Sequence, residues 1–291
     1  MTAKKSYAES LHRGFRVTFD ADTVLYENET EHQHLVLFEN VCFGRVLMLD
    51  GITQVTTADE FVYHEMLSHV PILAHGDARE VLVIGGGDCG LAEEVLKHKT
   101  VKRLTQVEID RAVVDFAVEH FSEMNAPVFE DDRFDLVIAD GVEFVADTDR
   151  RFDVILVDST DPVGPGSVLF TREFYTRCRR CLNPGGVLVT QNGVPFLQAG
   201  ELVESVAHFA GLFADAGCYL ATVPTYVGGQ MALGWATDDE ELRNVSEAIL
   251  EARFAAAGLA TRYYTPAVHK AAFALPRYIE ELVEKGRQRA C

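Results

Sequence analysis

The chain has 291 residues, enough for one large domain or two around a sizeable core. Apolar residues make up 48% and charged residues 24%, an ordinary composition for a water-soluble protein. Its 26 Lys and Arg against 45 Asp and Glu leave a formal charge of −19, which argues against nucleic-acid partners and suits a cationic ligand.

Met1–Ser10 is polar and lacks the apolar centre of a signal peptide, and no apolar run reaches membrane-spanning length. The expectation is a cytoplasmic protein with no membrane partner. The cysteines (Cys42, Cys89, Cys178, Cys181, Cys218 and Cys291) follow no disulfide framework and read as reduced thiols. Cys178-x-x-Cys181 has no second pair to complete a zinc site, and His64-Glu65-x-x-x-His69 has the wrong spacing for the H-E-x-x-H motif. No metal is expected.

From the N-terminus, Phe15–Phe19, Leu35–Phe38 and Arg45–Leu49 read as short strands. Turn signals at Glu39-Asn40 and Asp50-Gly51 separate them, which predicts a small antiparallel β domain over residues 1–58. Thr57–His69 changes to helical spacing, and Pro71 is predicted to end that helix. From Glu80 strands and helices alternate, which predicts an α/β fold with a mostly parallel sheet over residues 59–291. The strands are Val81–Ile84, Leu104–Glu108, Leu136–Asp140, Val154–Asp158, Val187–Gln191, Tyr219–Thr222 and Met231–Trp235, the last two as an antiparallel hairpin. Helices are predicted at Leu91–His98, Arg111–Phe121, Arg172–Cys181, Gly200–Ala214, Asp238–Ala257 and Pro276–Gln288.

The first of these strands runs into Gly85-Gly86-Gly87-Asp88-Cys89-Gly90. Gly85, Gly87 and Gly90 fit G-x-G-x-x-G, a weak signal alone. Asp88 is the unusual residue, because a carboxylate in an anion-favouring turn repels a pyrophosphate. The turn therefore suits a positively charged nucleoside. Four successive strands end at or run into an acidic residue: Asp88, Glu108, Asp140 and Asp158. Asp161 follows shortly after the last. In open α/β sheets ligands bind beyond these strand ends. Glu108 stands where an acidic residue accepts from ribose hydroxyls. Asp140, before Gly141, reads equally well as a helix cap or as a ligand of adenine. Asp158–Gly166 carries two prolines and two glycines, and reads either as a linker or as a lid over the site. Tyr63 and His64 read either as a packed helix face or as a pocket wall.

These residues resemble the polyamine aminopropyltransferases, among them the bacterial spermidine synthases. The resemblance runs from about Leu11 to Tyr278. Gly85-Gly86-Gly87-Asp88, Val107-Glu108-Ile109-Asp110, Asp158-Ser159-Thr160-Asp161-Pro162-Val163-Gly164-Pro165 and Pro224-Thr225-Tyr226 carry it. The family commonly has glycine where Cys89 stands. The resemblance implies a Rossmann-like, methyltransferase-type domain behind the small β domain, and a homodimer. It implies transfer of an aminopropyl group from decarboxylated S-adenosylmethionine, a co-substrate and not a cofactor, to putrescine. Gln33, Gln54, Asp88, Glu108, Asp140, Gly141 and Pro165 would bind the donor. Tyr63, His64, Asp158, Ser159, Asp161 and Tyr226 would surround the acceptor, with Asp158 taking the proton. Competing readings are a putrescine N-methyltransferase, an NAD-dependent oxidoreductase and a catalytically idle polyamine-binding protein.

Overall fold

The structure, a computed structural model, describes residues 5–9, 11–29, 33–162 and 164–290, and of Gly164 and Pro165 the backbone alone. Strands β1 (Ser6–Glu9) and β2 (Val17–Asp20) pair as an antiparallel ribbon. β3 (Thr23–Glu29), β4 (His34–Asn40), β5 (Gly44–Leu49) and β6 (Ile52–Thr56) form an antiparallel meander in chain order. Asp50 and Gly51, with φ of 50° and 75°, make the two-residue connection between β5 and β6. β4 is apolar from Leu35 to Phe38 because both of its faces are covered there. Val36 and Phe38 pack with Phe19 and Met48 on one side, and Leu35 and Leu37 pack with Phe116 and Phe121 on the other.

Helix α1 (Glu60–His75) follows and does not stop at Pro71. A mid-helix proline removes a hydrogen bond at a cost of about 3 kcal/mol. Burial outweighs it here: Val70, Ile72, Leu73 and Ala74 all lie in the core. The real stop is Gly76, at φ 85°, whose N–H bonds the Ile72 carbonyl.

β7 (Glu80–Gly85), α2 (Gly90–Leu96), β8 (Arg103–Glu108), α3 (Arg111–His120), α4 (Ser122–Asn125), β9 (Phe134–Ile138), α5 (Gly141–Asp147), β10 (Phe152–Asp158), α6 (Arg172–Arg180) and β11 (Leu182–Gln191) build the main sheet and its helices. α7 (Ala199–Ala210), β12 (Asp215–Ala221) and β13 (Met231–Thr237) extend it. The strand order is β12-β13-β11-β10-β7-β8-β9, with parallel pairing from β11 to β9 and β13 antiparallel to both of its neighbours. This is the expected methyltransferase-like α/β architecture, final hairpin included. Val81, Val83, Val154 and Leu156 fill one face, and Leu82, Ile84, Ile155 and Val157 the other, so these strands read as continuous apolar runs. The chain reverses its winding between β7 and β10, and the crevice there is where such folds bind ligands.

The predicted helix 238–257 begins nine residues late. Asp238 pairs with Arg179, Asp239 accepts from the Glu241 N–H, and Ser246 caps α8 (Glu247–Ala257). The predicted strand 136–140 ends at Ile138, because Asp140 is the N-cap of α5. α9 (Pro266–Ala272) and α10 (Arg277–Ala290) complete the chain.

α1 is buried almost all round, so its polar residues need internal partners. Glu65 accepts the backbone N–H groups of Arg262 at 2.7 Å, Tyr263 at 2.9 Å and Tyr264 at 2.7 Å, tying the C-terminal region to α1. Glu65→Ala leaves these donors without acceptors and is expected to destabilise the fold by about 3 kcal/mol. Glu65→Gln, which retains one oxygen, is expected to lose less. Urea midpoints at an unchanged slope check both.

Candidate active site

The chain beyond β7 turns sharply under the end of β10. Gly85 pairs with Asp158 across the sheet, and the Gly86 N–H donates to the Asp158 carbonyl at 2.9 Å. Gly85 has φ 85°, and a Cβ there would overlap that carbonyl, so only glycine fits. The turn closes through the Cys89 N–H to the Gly86 carbonyl at 2.8 Å and the Gly90 N–H to Asp88 Oδ1 at 2.8 Å. Cys89 itself is left-handed, with φ 62°. The turn survives the departure from glycine, but it holds a non-glycine residue where about 1–2 kcal/mol opposes it.

A cavity of about 530 Å³ opens over this turn and the ends of β7, β8 and β10. It gathers nearly every residue singled out from the sequence. At one end Glu108 closes β8, buried, and accepts the Asp110 N–H at 2.9 Å. Burial pushes its carboxyl up to about 7. Gln33 reaches Asp110 from across the cavity, with Nε2 at 3.4 Å from Oδ2. Asp140 accepts the Val142 N–H at 2.7 Å and also lines the cavity with Gly141, so the cap and the wall are the same residue. Gln54, on β6, lines it from the N-terminal sheet, and its carbonyl accepts from the Tyr226 hydroxyl. The Pro165 side chain lies outside what the structure describes, as does Val163.

Asp158 stands at the centre. Tyr63, from α1, donates to its Oδ1 at 2.8 Å, and its Oδ2 lies over Gly86. Burial, then the neighbouring Asp88 carboxylate, pushes Asp158 up to about 6. His64 meets Glu60 at 2.8 Å through Nδ1 and Asp88 at 3.7 Å through Nε2. Burial opposes its charge, but Asp88 and Glu60 outweigh burial and raise it to about 10. The structure thus brings His64 to the glycine turn, in the same cavity as Asp161.

At the other end Asp161 accepts from Gln198 Nε2 at 2.6 Å and faces Gln191 Nε2 at 3.4 Å. The Ser159 hydroxyl and the Gln191 Oε1 are buried and have no protein partner. Tyr226 packs edge-on against Tyr63, with ring centroids 6.0 Å apart. Asp59 holds the loop that carries Tyr226, accepting the Thr225 N–H at 2.7 Å and its hydroxyl at 2.6 Å. Among the described residues, no Lys, Arg or His forms an ion pair with Glu108, Asp158 or Asp161. The cavity gathers buried and half-buried carboxylates, of which Glu108, Asp158 and Asp161 lack basic partners, an arrangement suited to cations.

A family model described as the spermine/spermidine synthase domain matches residues 60–246, and another, described as the spermidine synthase tetramerisation domain, matches residues 7–57. Polyamine aminopropyltransferases of Escherichia fergusonii and Escherichia coli are each 53% identical over 281 residues, covering 97% of this chain and 98% of each relative. A crystal structure of spermidine synthase in complex with the transition-state analogue AdoDATO matches with a TM-score of 0.91 at 33% identity, over 96% of this chain and 95% of that one. Spermidine synthase from Thermotoga maritima matches with a TM-score of 0.90 at 33% identity, over 97% and 95%. The chain belongs to the polyamine aminopropyltransferase family.

The cavity of this aminopropyltransferase also contains residues that the sequence reading did not single out. Gln191 ends β11 as Asp158 ends β10, so the same strand-end rule applied to neutral side chains would have found it. Gln198 and Asp59 carry no such signal, since their positions depend on loop packing against distant segments. Glu9, also outside the sequence reading, lines the cavity and accepts the Thr53 N–H at 2.8 Å.

Two consequences are measurable without any ligand. Alanine is ordinarily the more stable replacement, but at the left-handed Cys89 the order is expected to invert, with Cys89→Gly about 1 kcal/mol more stable than Cys89→Ala by urea unfolding. Glu108 has a folded pKa above its unfolded value near ~4.3. Its contribution is therefore fully present below pH ~4.3 and is lost as pH rises through about 7. Glu108→Gln is expected to match or fall below the wild type at pH 4.5. At pH 8 it is expected to exceed it by on the order of 1–3 kcal/mol. Thermal melts across that range check the crossing.

Proposed function

We propose that the enzyme is a spermidine synthase, moving an aminopropyl group from decarboxylated S-adenosylmethionine to putrescine and releasing spermidine and methylthioadenosine. The observation that carries this reading is the division of one cavity into two carboxylate-bearing ends with Asp158 between them. Glu108, Gln33, Asp140, Gly141 and Gln54 suit the nucleoside, and the family resemblance adds Pro165. Asp88, with His64 behind it, suits the ammonium of the aminopropyl arm. Tyr63, Ser159, Asp161 and Tyr226 suit the diamine. A structural relative solved in complex with the transition-state analogue AdoDATO supports a reaction of this kind.

The chemistry is displacement at a saturated carbon. The amine lone pair attacks the methylene bonded to the sulfonium, the carbon–sulfur bond breaks, and its electrons neutralise sulfur. Positive charge passes to nitrogen, and the proton that Asp158 accepts is the one the incoming ammonium loses before its lone pair is free to attack. An alkyl amine titrates near ~10.4, so at neutral pH it arrives protonated, and a base within hydrogen-bond reach is required. With a pKa pushed up to about 6, Asp158 is mostly ionised at neutral pH and a stronger base than an ordinary aspartate. Tyr63 holds one of its oxygens and leaves the other to the nitrogen. The leaving group is a neutral thioether and no electrons are transferred, so the reaction requires neither a metal nor a redox cofactor. We further propose a cytoplasmic enzyme acting as a homodimer. The described residues contain no helix long and apolar enough to cross a membrane.

Mass spectrometry of the products tests the reading. Putrescine with the decarboxylated donor is expected to give spermidine, while intact S-adenosylmethionine gives no methylated putrescine. Methylation would point to an N-methyltransferase instead. Turnover is expected to persist in excess chelator. Asp158→Asn keeps the shape but not the base, and is expected to lower kcat by about 10²–10⁴-fold, with a smaller deficit at high pH where free amine is plentiful. Activity within a few-fold of wild type at neutral pH would remove Asp158 from that role.

Choice of donor is proposed to rest on Asp88. The intact donor carries an extra carboxylate beside the ammonium. Two like charges ~4 Å apart at an effective dielectric of ~20 repel by roughly 4 kcal/mol as an upper guide. Asp88→Asn is expected to weaken the decarboxylated donor while leaving the intact one nearly unchanged, narrowing the preference. Equal losses for both by calorimetry would assign the choice to pocket shape.

A further inference from the structure

Asp161 and Glu201 are held by a single amide. Gln198 Nε2 donates to Asp161 Oδ1 at 2.6 Å and reaches the two oxygens of Glu201 at 3.1 and 3.2 Å. Its Oε1 accepts the Val194 N–H at 2.8 Å, so flipping the amide would lose that bond and turn an oxygen toward two carboxylates. The preceding turn is closely packed on it. Gly193 has φ 63°, and a Cβ there would stand 2.7 Å from the Gln198 amide. With both N–H bonds committed, Gln198 has no donor left for a ligand and acts as a bracket.

Glu201 does not line the cavity. It is half-buried on the first turn of α7, and the charges acting on it are Asp161 and Glu204, both negative. Burial and these neighbours push it up to about 7. Among the described residues it has no ion pair with a Lys, Arg or His. Two carboxylates joined through one nitrogen, with no basic residue on either, repel each other in the empty site. A cation seated on Asp161 relieves that repulsion and is attracted by both.

We propose that Glu201 is a positioning residue for the acceptor: through Gln198 it fixes the Asp161 carboxylate and places a second negative charge behind it. The far ammonium of a diamine is held at this end, whereas a monoamine gains nothing from it. The inference rests on the aminopropyl-transfer reading above for its kinetic form, but its core is a binding preference measurable without turnover.

The test compares putrescine with n-butylamine, which has the same carbon chain and one amine. Wild type, Glu201→Gln and Glu201→Asp are assayed with the decarboxylated donor. Each is also titrated with both amines in the presence of methylthioadenosine. Glu201→Gln is expected to raise KM and Kd for putrescine by on the order of tenfold. Its kcat at saturating putrescine is expected to stay within about two-fold of wild type, and its constants for n-butylamine are expected to remain as they were. Glu201→Asp is expected to fall between. Gln198→Met removes the bracket by a different route and is expected to give the same selective loss if Glu201→Gln folds poorly. Equal losses with both amines, or none with either, would overturn the proposal. A wild type that binds putrescine tighter than n-butylamine but makes no spermidine would defeat the functional reading alone, and the titrations would still decide the role of Glu201.

Discussion

The structure depends on one electrostatic constraint: several carboxylates converge on a cavity of low dielectric, and basic residues are kept away from them. Each carboxylate is held by donors that are not charged. Asp88 takes a backbone N–H of the glycine turn, Glu108 takes one from Asp110, Asp158 takes a tyrosine hydroxyl, and Asp161 takes an amide. A lysine or arginine in any of these places would neutralise the group and occupy the space a cationic ligand needs. Neutral donors fix direction and leave the charge uncompensated. The cost appears as raised carboxyl pKa values, and it is offset only when a cation enters. His64, a basic side chain that does line the cavity, is itself divided between Glu60 and Asp88.

That arrangement needs a rigid frame, and the pairing of β7 with β10 supplies it. Because Gly85 lies beside Asp158 in register, the glycine turn and the loop that follows Asp158 leave the sheet as neighbours. The backbone bond from Gly86 to the Asp158 carbonyl then fixes their separation. α1 forms the opposite wall. It carries Tyr63 and His64 into the cavity and is locked from behind, where Glu65 holds the C-terminal segment and the Tyr219 hydroxyl donates to the Met66 carbonyl at 2.9 Å. A break at Pro71 would release the last turn of this wall, which accounts for a helix that continues through a residue that ordinarily stops one.

What could be read from the sequence follows from how local each signal is. The strand-end acids Asp88, Glu108 and Asp158 were legible because each follows its own apolar run, and the fold rule places all such ends on one side. The parallel sheet was legible from the alternation of β-branched runs with helical stretches. β3 was missed because it is an exposed strand with a polar, acidic second half and leaves no apolar pattern. α9 was missed although Thr265-Pro266 is an N-cap followed by a proline at the first helical position. The helix over 238–257 was over-extended because Asp238 and Asp239 read as helix-starting acids, whereas tertiary partners use them in a turn.

The residues least visible in the sequence are those that hold the Asp161 and Tyr226 end of the cavity. Asp59 and Thr225 are 166 positions apart, and Asp161 and Gln198 are 37 apart. In both cases a carboxylate and a neutral group from a distant loop hold each other, and the path of that loop is set by the sheet beneath it. Local pattern therefore identifies which charges enter the cavity but not their angles. For displacement at carbon the angle decides the rate, since the nitrogen must approach opposite the sulfur and small errors of placement are expensive. In this cavity the charges that recognise a cation are written in strand-end residues, and the geometry that turns recognition into reaction is written in the neutral side chains that hold them.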